Sequence, residues 1–477
     1  MANAPTSDRD DLVKQLQDEV ARLEADRARL EREGDRLRRE NERLHKELEA
    51  ARRAGFRQAA PFSKGAPTPH PRRPGRKPGR AYGRQGRRRI PPVIDEPYDV
   101  PVPRTCPDCG GAVEDTHVTA QYQEDLPPVR PVARRFDVPV GRCRGCGRRV
   151  QGRHPLQTSE ALGAAAVQIG PDAVATAAVL NKQLGLSFGK IATFFAERFG
   201  LTVAPSAIVR ALHRAAAKAL PTYAALVQTV RTSPMVVADE TGWRVHAELQ
   251  WLWACVTPTT TVYAVLPGRG FDEAACLLGA SFAGRLVRDG WAPYRKFPEA
   301  AHQTCLTHLI RRARELREDH PRARLPGQIQ QVLQDALDVR DRHTAGMIST
   351  HGVAVARGRL ITRLSTLLDE STTVAAIRRF VEHLNREWAA LFTFLFDLDL
   401  DATNYRAEHA MRWAVVTRKM CGGGNRTTRG AVTQYVLASV LRTARQRGLD
   451  RHAVFVAMLR ARTPIVSPAF QPRAGPC

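Results

Sequence analysis

Between residues 233 and 289 the sequence sets out four strand-like runs in an order that leaves few topologies open. "MVVA" (235–238), "WLWACVTP" (251–258) and "TTVYAVLP" (260–267) are rich in β-branched and aromatic residues and lie close enough together to form a meander. A helix-patterned segment, "FDEAACLLGASF", follows, and then a short run at 285–288. In a mixed sheet of this order the strand reached through a helix can lie parallel beside the first. The first run is expected to end at Asp239 and the last at Asp289, which would bring two carboxylates together at one sheet edge. Carboxylates so placed repel unless a cation lies between them, and hard oxygen donors with open positions suit Mg2+ or Mn2+.

The rest of the 477 residues allows two or three domains. The formal net charge of +25 and a pI near 10.5 make a polyanion, nucleic acid above all, the expected partner. There is no basic-then-apolar leader and no stretch of about 18 apolar residues, so a cytoplasmic protein without a membrane partner is expected. Leucines 16, 23, 30, 37 and 44 mark five consecutive heptads, which predicts a leucine-zipper coiled coil over 10–50 and a homo-oligomer paired through it. Residues 51–94 carry thirteen Lys or Arg and no acid among many Pro and Gly, a composition that cannot bury a core. Arg72, Arg73, Arg76, Lys77 and Arg80 in this arm suit phosphate or minor-groove contact, although a merely solubilising linker has the same composition.

Residues 95–155 hold two CxxC pairs, Cys106 with Cys109 and Cys143 with Cys146, separated by 33 residues. Each pair, followed by glycine, reads as a metal knuckle, and two knuckles make a tetrahedral site for structural Zn2+. The sequence between them is expected to supply the hairpin of a zinc ribbon. Residues 156–231 are Ala-rich and helical, with a turn at Gly200 and caps expected at Ser187 and Ser206, a pattern compatible with a helix-turn-helix DNA reader or with simple packing.

Downstream, "NYRAEHAMRWAVVTRKMCGGGNRTTRGA" (404–431) reads as a helix with a small-residue face, Ala407, Ala410, Met411, Ala414 and Val415. Asn404, Glu408 and Arg412 lie along its polar flank. Arg412, Arg418, Lys419, Arg426 and Arg429 are expected to grip a DNA backbone. Among other acids, Glu315 and Glu318 stand at helical spacing from arginines and are expected to form surface ion pairs, and Glu387 is expected to face solvent. Cys305 and His308 offer only two metal ligands, so packing, or a phosphate contact by His308, is the expected role.

Asp239 in "DET", Asp289 in "DGW", "CLTH" from Cys305 to His308, and Asn404 to Glu408 ahead of Arg418 and Lys419 together resemble the DDE transposases of insertion sequence 66. The zipper, the basic arm and the paired CxxC motifs fit the same family order. The resemblance implies a mixed α/β chain. A ribonuclease H-like catalytic core at 232–450, with a helical insertion about 320–400, would follow the coiled coil, zinc ribbon and helical domain and precede a C-terminal tail at 451–477. It also implies that Asp239, Asp289 and Glu408 form a triad holding Mg2+, and that the protein binds double-stranded DNA, the terminal repeats and a target, cutting and joining strands. The alternatives are a non-catalytic DNA-binding regulator, which would need only the zipper, ribbon and helix-turn-helix, and a stand-alone metal-dependent nuclease.

Overall fold

The computed structural model describes residues 6–56, 90–114, 117–127, 129–163, 167–420 and 423–470, and the chain divides into two units, 1–125 and 126–477. The arm residues Arg72, Arg73, Arg76, Lys77 and Arg80 lie outside the described residues.

In the first unit, helix α1 runs from Thr6 to Phe56, with Val20, Leu23, Leu30, Leu37 and Leu44 exposed along it. Pairs such as Arg27–Glu31 and Arg38–Asp35 line its surface at helical spacing. The first CxxC is a tight turn: the Cys106 N–H donates to the Gly111 carbonyl at 2.8 Å and the Gly110 N–H to the Cys106 carbonyl at 2.9 Å.

The second unit repeats that turn at Cys143, with Cys143 N–H to the Arg148 carbonyl at 2.8 Å and Gly147 N–H to the Cys143 carbonyl at 2.9 Å. Gly110 and Gly147 take φ of 73° and 68°, a left-handed backbone that a glycine adopts without steric cost. The antiparallel strands β1 (Val140–Arg142) and β2 (Arg149–Gln151) flank this second knuckle. The hairpin expected between the knuckles is absent from the described residues there. Pro127, Pro131 and Pro139 remove donors from that stretch, which explains why its β-branched residues do not pair.

The centre of the second unit is a five-stranded sheet of order β5-β4-β3-β6-β7: β3 Met235–Val245, β4 Glu248–Val256, β5 Thr261–Leu266, β6 Arg285–Arg288 and β7 Ala301–Thr304. β4 is antiparallel to β3 and β5, whereas β6 is parallel to β3 and β7 to β6. The expected meander, helix and parallel return are all present. The boundaries differ at the first hairpin, where β3 runs on through Asp239 to Val245 and β4 begins at Glu248 rather than Trp251. The pairing of β3 with β6 stops at Val237, while its pairing with β4 continues to Val245, and that hairpin carries the strand onward.

Alternation along the strands divides the core in two. Val236, Ala238, Trp253, Cys255, Val262, Ala264 and Leu286 share one core with helices α2 (Pro171–Lys182), α3 (Phe188–Phe199), α4 (Pro205–Arg231), α5 (Phe271–Leu278), and two helices near the C-terminus. The segment 156–231, expected as a separate helical domain, therefore packs its described helices on the sheet. Ser187 caps α3 as expected, but α4 begins at Pro205 behind Ala204, so Ser206 lies inside the helix. Proline is preorganised for the first helical turn and takes that place.

Met235, Val237, Leu252, Ala254, Tyr263 and Val287 face the other core, built with α6 (Leu306–Asp319), α7 (Leu325–Thr344), α8 (Thr350–Leu368), α9 (Ala375–Arg386) and α10 (Tyr405–Met420). Helices thus fill the interval expected for the insertion. The two C-terminal helices on the first core are α11 (Thr428–Gln446) and α12 (Arg451–Arg460); α12 buries Val454, Phe455, Met458 and Leu459, so the expected tail begins as a packed helix. Among the described residues no helix is long and apolar enough to cross a membrane.

Candidate active site

Val237 and Val287 are register partners on parallel neighbours. Asp239 and Asp289 follow two residues on, beyond the last paired residues, and the Asp289 charge acts on the Asp239 carboxyl. Asp239 shares the parity of Met235 and Val237, which directs it toward the core layer that contains α10. β7 brings the next element alongside: the Cys305 N–H donates to the Arg288 carbonyl at 2.8 Å, just before α6 begins.

The third carboxylate arrives on α10. Ala407, Ala410, Met411 and Ala414 are buried on the helix's inner side, and the Tyr263 hydroxyl donates to the Ala410 carbonyl at 2.8 Å, tying α10 to the sheet. Small residues permit that close packing. Glu408, in the first turn, lies 3.6 Å from His308 Nε2 through its Oε1. Asn404 is fully buried rather than on a polar flank; its carbonyl accepts the Glu408 N–H at 3.0 Å, and neither of its amide atoms has a hydrogen-bond partner.

These groups share one field. Burial first, then the charges of Glu240 and Asp289, with a further push from Glu408, raise the Asp239 carboxyl to about 7, against the opposing pull of His308. Although burial works against it, the Cys305 thiol is held below its usual range by His308, Thr307 and the Asn404 backbone. His308 is in turn raised, by Cys305 foremost, with Glu408 and Asp289 adding to overcome burial. Among the described residues no three His, Cys, Asp or Glu side chains are grouped closely enough to hold an ion as they stand. The donor chemistry nevertheless fits a divalent cation: the oxygen ligands come from three elements, and their mutual repulsion is what such a charge would relieve.

A strained acid makes a prediction about stability. Because Asp239 titrates near 7 when folded and near 4 when unfolded, its ionisation opposes folding progressively from about pH 4 to about pH 7 and fully above that. Asp239→Asn should therefore stabilise the metal-free protein by roughly 1–4 kcal/mol at about pH 8 and by little at about pH 4. Urea denaturation at both pH values checks this, and equal stabilities at the higher pH would show that the carboxyl is not strained.

The sequence reading missed several neighbours. Arg269, in the "PGRG" turn after β5, sits between two indoles, 5.0 Å from the Trp251 ring and 4.2 Å from the Trp291 ring. Its Nε lies 2.7 Å from Glu240 Oε1 and its Nη2 3.4 Å from Asp289 Oδ2. Glu240 also accepts from the Tyr294 hydroxyl at 2.5 Å, and Asp289 accepts the Trp291 N–H at 3.0 Å. The glycine-flanked arginine and the adjacent "DE" were the only local signals.

Glu387 corrects an expectation. It is 1% exposed, not solvent-facing. Arg288 donates to it, Thr304 Oγ1 donates at 2.6 Å and Arg295 Nη1 at 2.6 Å. Just beyond, a Cβ on Gly290 would stand 2.5 Å from the His383 ring, so a larger residue after Asp289 would require that ring to shift. Glu315 and Glu318 form the expected pairs with Arg312 and Arg314 at 3.4 and 3.8 Å.

Of the expected DNA contacts on this unit, Arg412, Lys419, Arg426 and Arg429 are exposed. Arg418 is half-buried; it donates to the Gly242 carbonyl and lies 5.5 Å over the Trp243 ring, tying α10 to β3. The loop after α10 is spent similarly, with the Asn425 N–H on the Arg244 carbonyl at 2.8 Å.

The sequence was also compared with known proteins. The family model described as Transposase IS66 family matches residues 166–433, more than half of the chain. A protein of Sinorhizobium fredii, described as uncharacterized protein y4jD, is 26% identical over 394 residues, covering 75% of this chain and 75% of its own.

Proposed function

Because this chain belongs to the IS66 family of transposases, we propose that it binds the terminal repeats of an insertion sequence and catalyses metal-dependent strand cleavage and strand transfer at Asp239, Asp289 and Glu408. The observation that supports the reading is the parallel register of Val237 with Val287, two residues before Asp239 and Asp289, together with the Asp289 and Glu408 charges that both act on the Asp239 carboxyl. The β5-β4-β3-β6-β7 order, with one antiparallel strand inside an otherwise parallel set, supports a ribonuclease H-like core.

On this reading the three carboxylates would hold Mg2+ or Mn2+, which when bound supplies Lewis acidity to the attacking and leaving oxygens of a phosphodiester. Water would attack a phosphodiester at the element's end, breaking its P–O3′ bond and freeing a 3′-hydroxyl, and that hydroxyl would then attack a target phosphodiester and displace the target's own 3′-oxygen. Arg269 neutralises Glu240 and part of Asp289, so the protein's own cation limits the repulsion before DNA arrives. Arg412, Lys419, Arg426 and Arg429 are exposed to take the DNA backbone, with the basic arm adding non-specific affinity. Incubating the protein with labelled terminal-repeat DNA, target DNA and Mg2+ tests the proposal. Joined product supports it, cleavage without joining favours a nuclease, and binding alone favours a regulator.

Two accessory features follow. The exposed leucines of α1 would be buried only against another helix, so deletion of residues 10–50 should lower the oligomeric mass by light scattering, and an unchanged mass would reject pairing through α1. In the CxxC turns, backbone N–H groups of Asp108 and Cys109, and of Cys146 and Gly145, hold the Cys106 and Cys143 thiols below their usual range, the state a zinc ligand requires. Zinc content measured on purified protein should fall in Cys106→Ser and in Cys143→Ser. Unchanged content would remove zinc from the reading.

A further inference from the structure

We propose that the outer flank of α10, formed by Tyr405, His409 and Trp413 with Arg442 and Arg445, is a stacking site for unpaired DNA bases beside the carboxylate cluster. The three rings recur every four residues, so they lie along one side of the helix. Tyr405 and His409 stack with centroids 5.8 Å apart at 26°, and His409 meets Trp413 edge-on at 6.4 Å. Tyr405 is 66% exposed, and its ring ends the ladder, which leaves its outer side open to solvent.

The arginines come from α11. Arg442 Nη2 lies 2.9 Å from His409 Nδ1, which makes that nitrogen an acceptor and the imidazole a neutral ring. Arg442 and Arg445 also lie 5.8 and 5.1 Å from the Trp413 ring centroid. Among the described residues no carboxylate lies within ion-pair distance of Arg412, Arg442 or Arg445. A flank with an open aromatic face and uncompensated cations matches the requirements of single-stranded nucleic acid, whose bases stack on rings while its phosphates are neutralised. Duplex DNA offers no free base face, and an apolar protein surface would leave the arginines unpaired.

Position gives the site its use. Tyr405 is three residues from Glu408, on a neighbouring flank of the same helix. A base freed from the duplex at the cut could be held here while its phosphodiester stays near the acids. This inference rests on the transposase reading.

The test is binding of the full-length protein to a short oligothymidylate containing one fluorescent adenine analogue that is quenched by stacking, with terminal-repeat duplex measured in parallel. Tyr405 is exposed, so its substitution leaves the core intact, and circular dichroism verifies the fold. Tyr405→Leu should weaken single-strand binding by at least about fivefold and reduce the quench, whereas Tyr405→Phe retains both. Equal single-strand binding by Tyr405→Leu overturns the inference. An equal loss for single strand and duplex also overturns it, since the flank would then be a backbone surface only. Failure of the transposase reading shows differently, as wild-type protein without metal-dependent cleavage of terminal-repeat DNA.

Discussion

Glu408→Gln is expected to keep its fold and its affinity for DNA while metal-dependent cleavage falls by at least about a hundredfold, and Asp239→Asn and Asp289→Asn should lose cleavage likewise. Loss of a residue that merely orients a metal ligand already costs roughly 10- to 100-fold, so loss of the ligand itself should cost more. The fold should survive because the Glu408 side chain is 37% exposed and its one ion-pair contact among the described residues is His308 at 3.6 Å. The amide is nearly the same size as the carboxylate, so no cavity opens. Cleavage of labelled terminal-repeat DNA by purified variants, with melting temperature and DNA affinity measured on the same samples, makes the comparison. Near wild-type cleavage by Glu408→Gln would place the third ligand elsewhere. The competing acids each have another occupation: Glu240 with Arg269 and Tyr294, Glu315 with Arg312, and Glu387 with two arginines.

What could be read from the sequence divides by the range of the signal. The sheet order followed from local cues, namely alternation, short gaps and one helix, and the strand Arg285–Arg288 lies where the apolar run placed it. That Asp239 and Asp289 follow the ends of one parallel pairing needed only the rule for a parallel return. The continuation of β3 past Asp239 was hidden because Glu240, Thr241 and Gly242 break the apolar run, while the reason to continue lies in β4, where Trp253, Leu252 and Trp251 are their partners. Pairing across the sheet overrode local propensity there. The proline-interrupted stretch between the knuckles failed in the opposite direction, with strand-like side chains but too few donors. Arg269 drew no attention in the sequence. Its two indoles and two carboxylates come from three other places in the chain, and no spacing within "PGRG" announces them.

Glu387 was hidden for the same reason, since Arg288 and Thr304 lie 99 and 83 residues away. Its burial leads to the largest stability effect expected in this chain. Glu387→Ala should destabilise the protein by roughly 3–5 kcal/mol, because it leaves Arg288, 2% exposed, charged and without a carboxylate. Burial raises the Glu387 carboxyl, but Arg288, Thr304 and Arg295 outweigh it and hold the carboxyl below its usual range. The sign is therefore that of a stabilising acid: its contribution is present above the ordinary carboxylate range and is lost as pH falls through the folded value. The destabilisation of Glu387→Ala, measured by urea denaturation, should accordingly shrink toward acid pH. Replacing both partners with apolar residues, Arg288→Met with Glu387→Leu, should recover most of the loss, since a buried pair and a packed apolar pair are often close in free energy. A loss below about 1 kcal/mol in Glu387→Ala would mean that solvent screens the pair, against its burial. Cleavage separates this residue from the proposed triad. Arg288 directly precedes Asp289, so the pair acts on the acid through backbone position, and folded Glu387→Ala should retain cleavage within about tenfold of wild type where Glu408→Gln retains almost none.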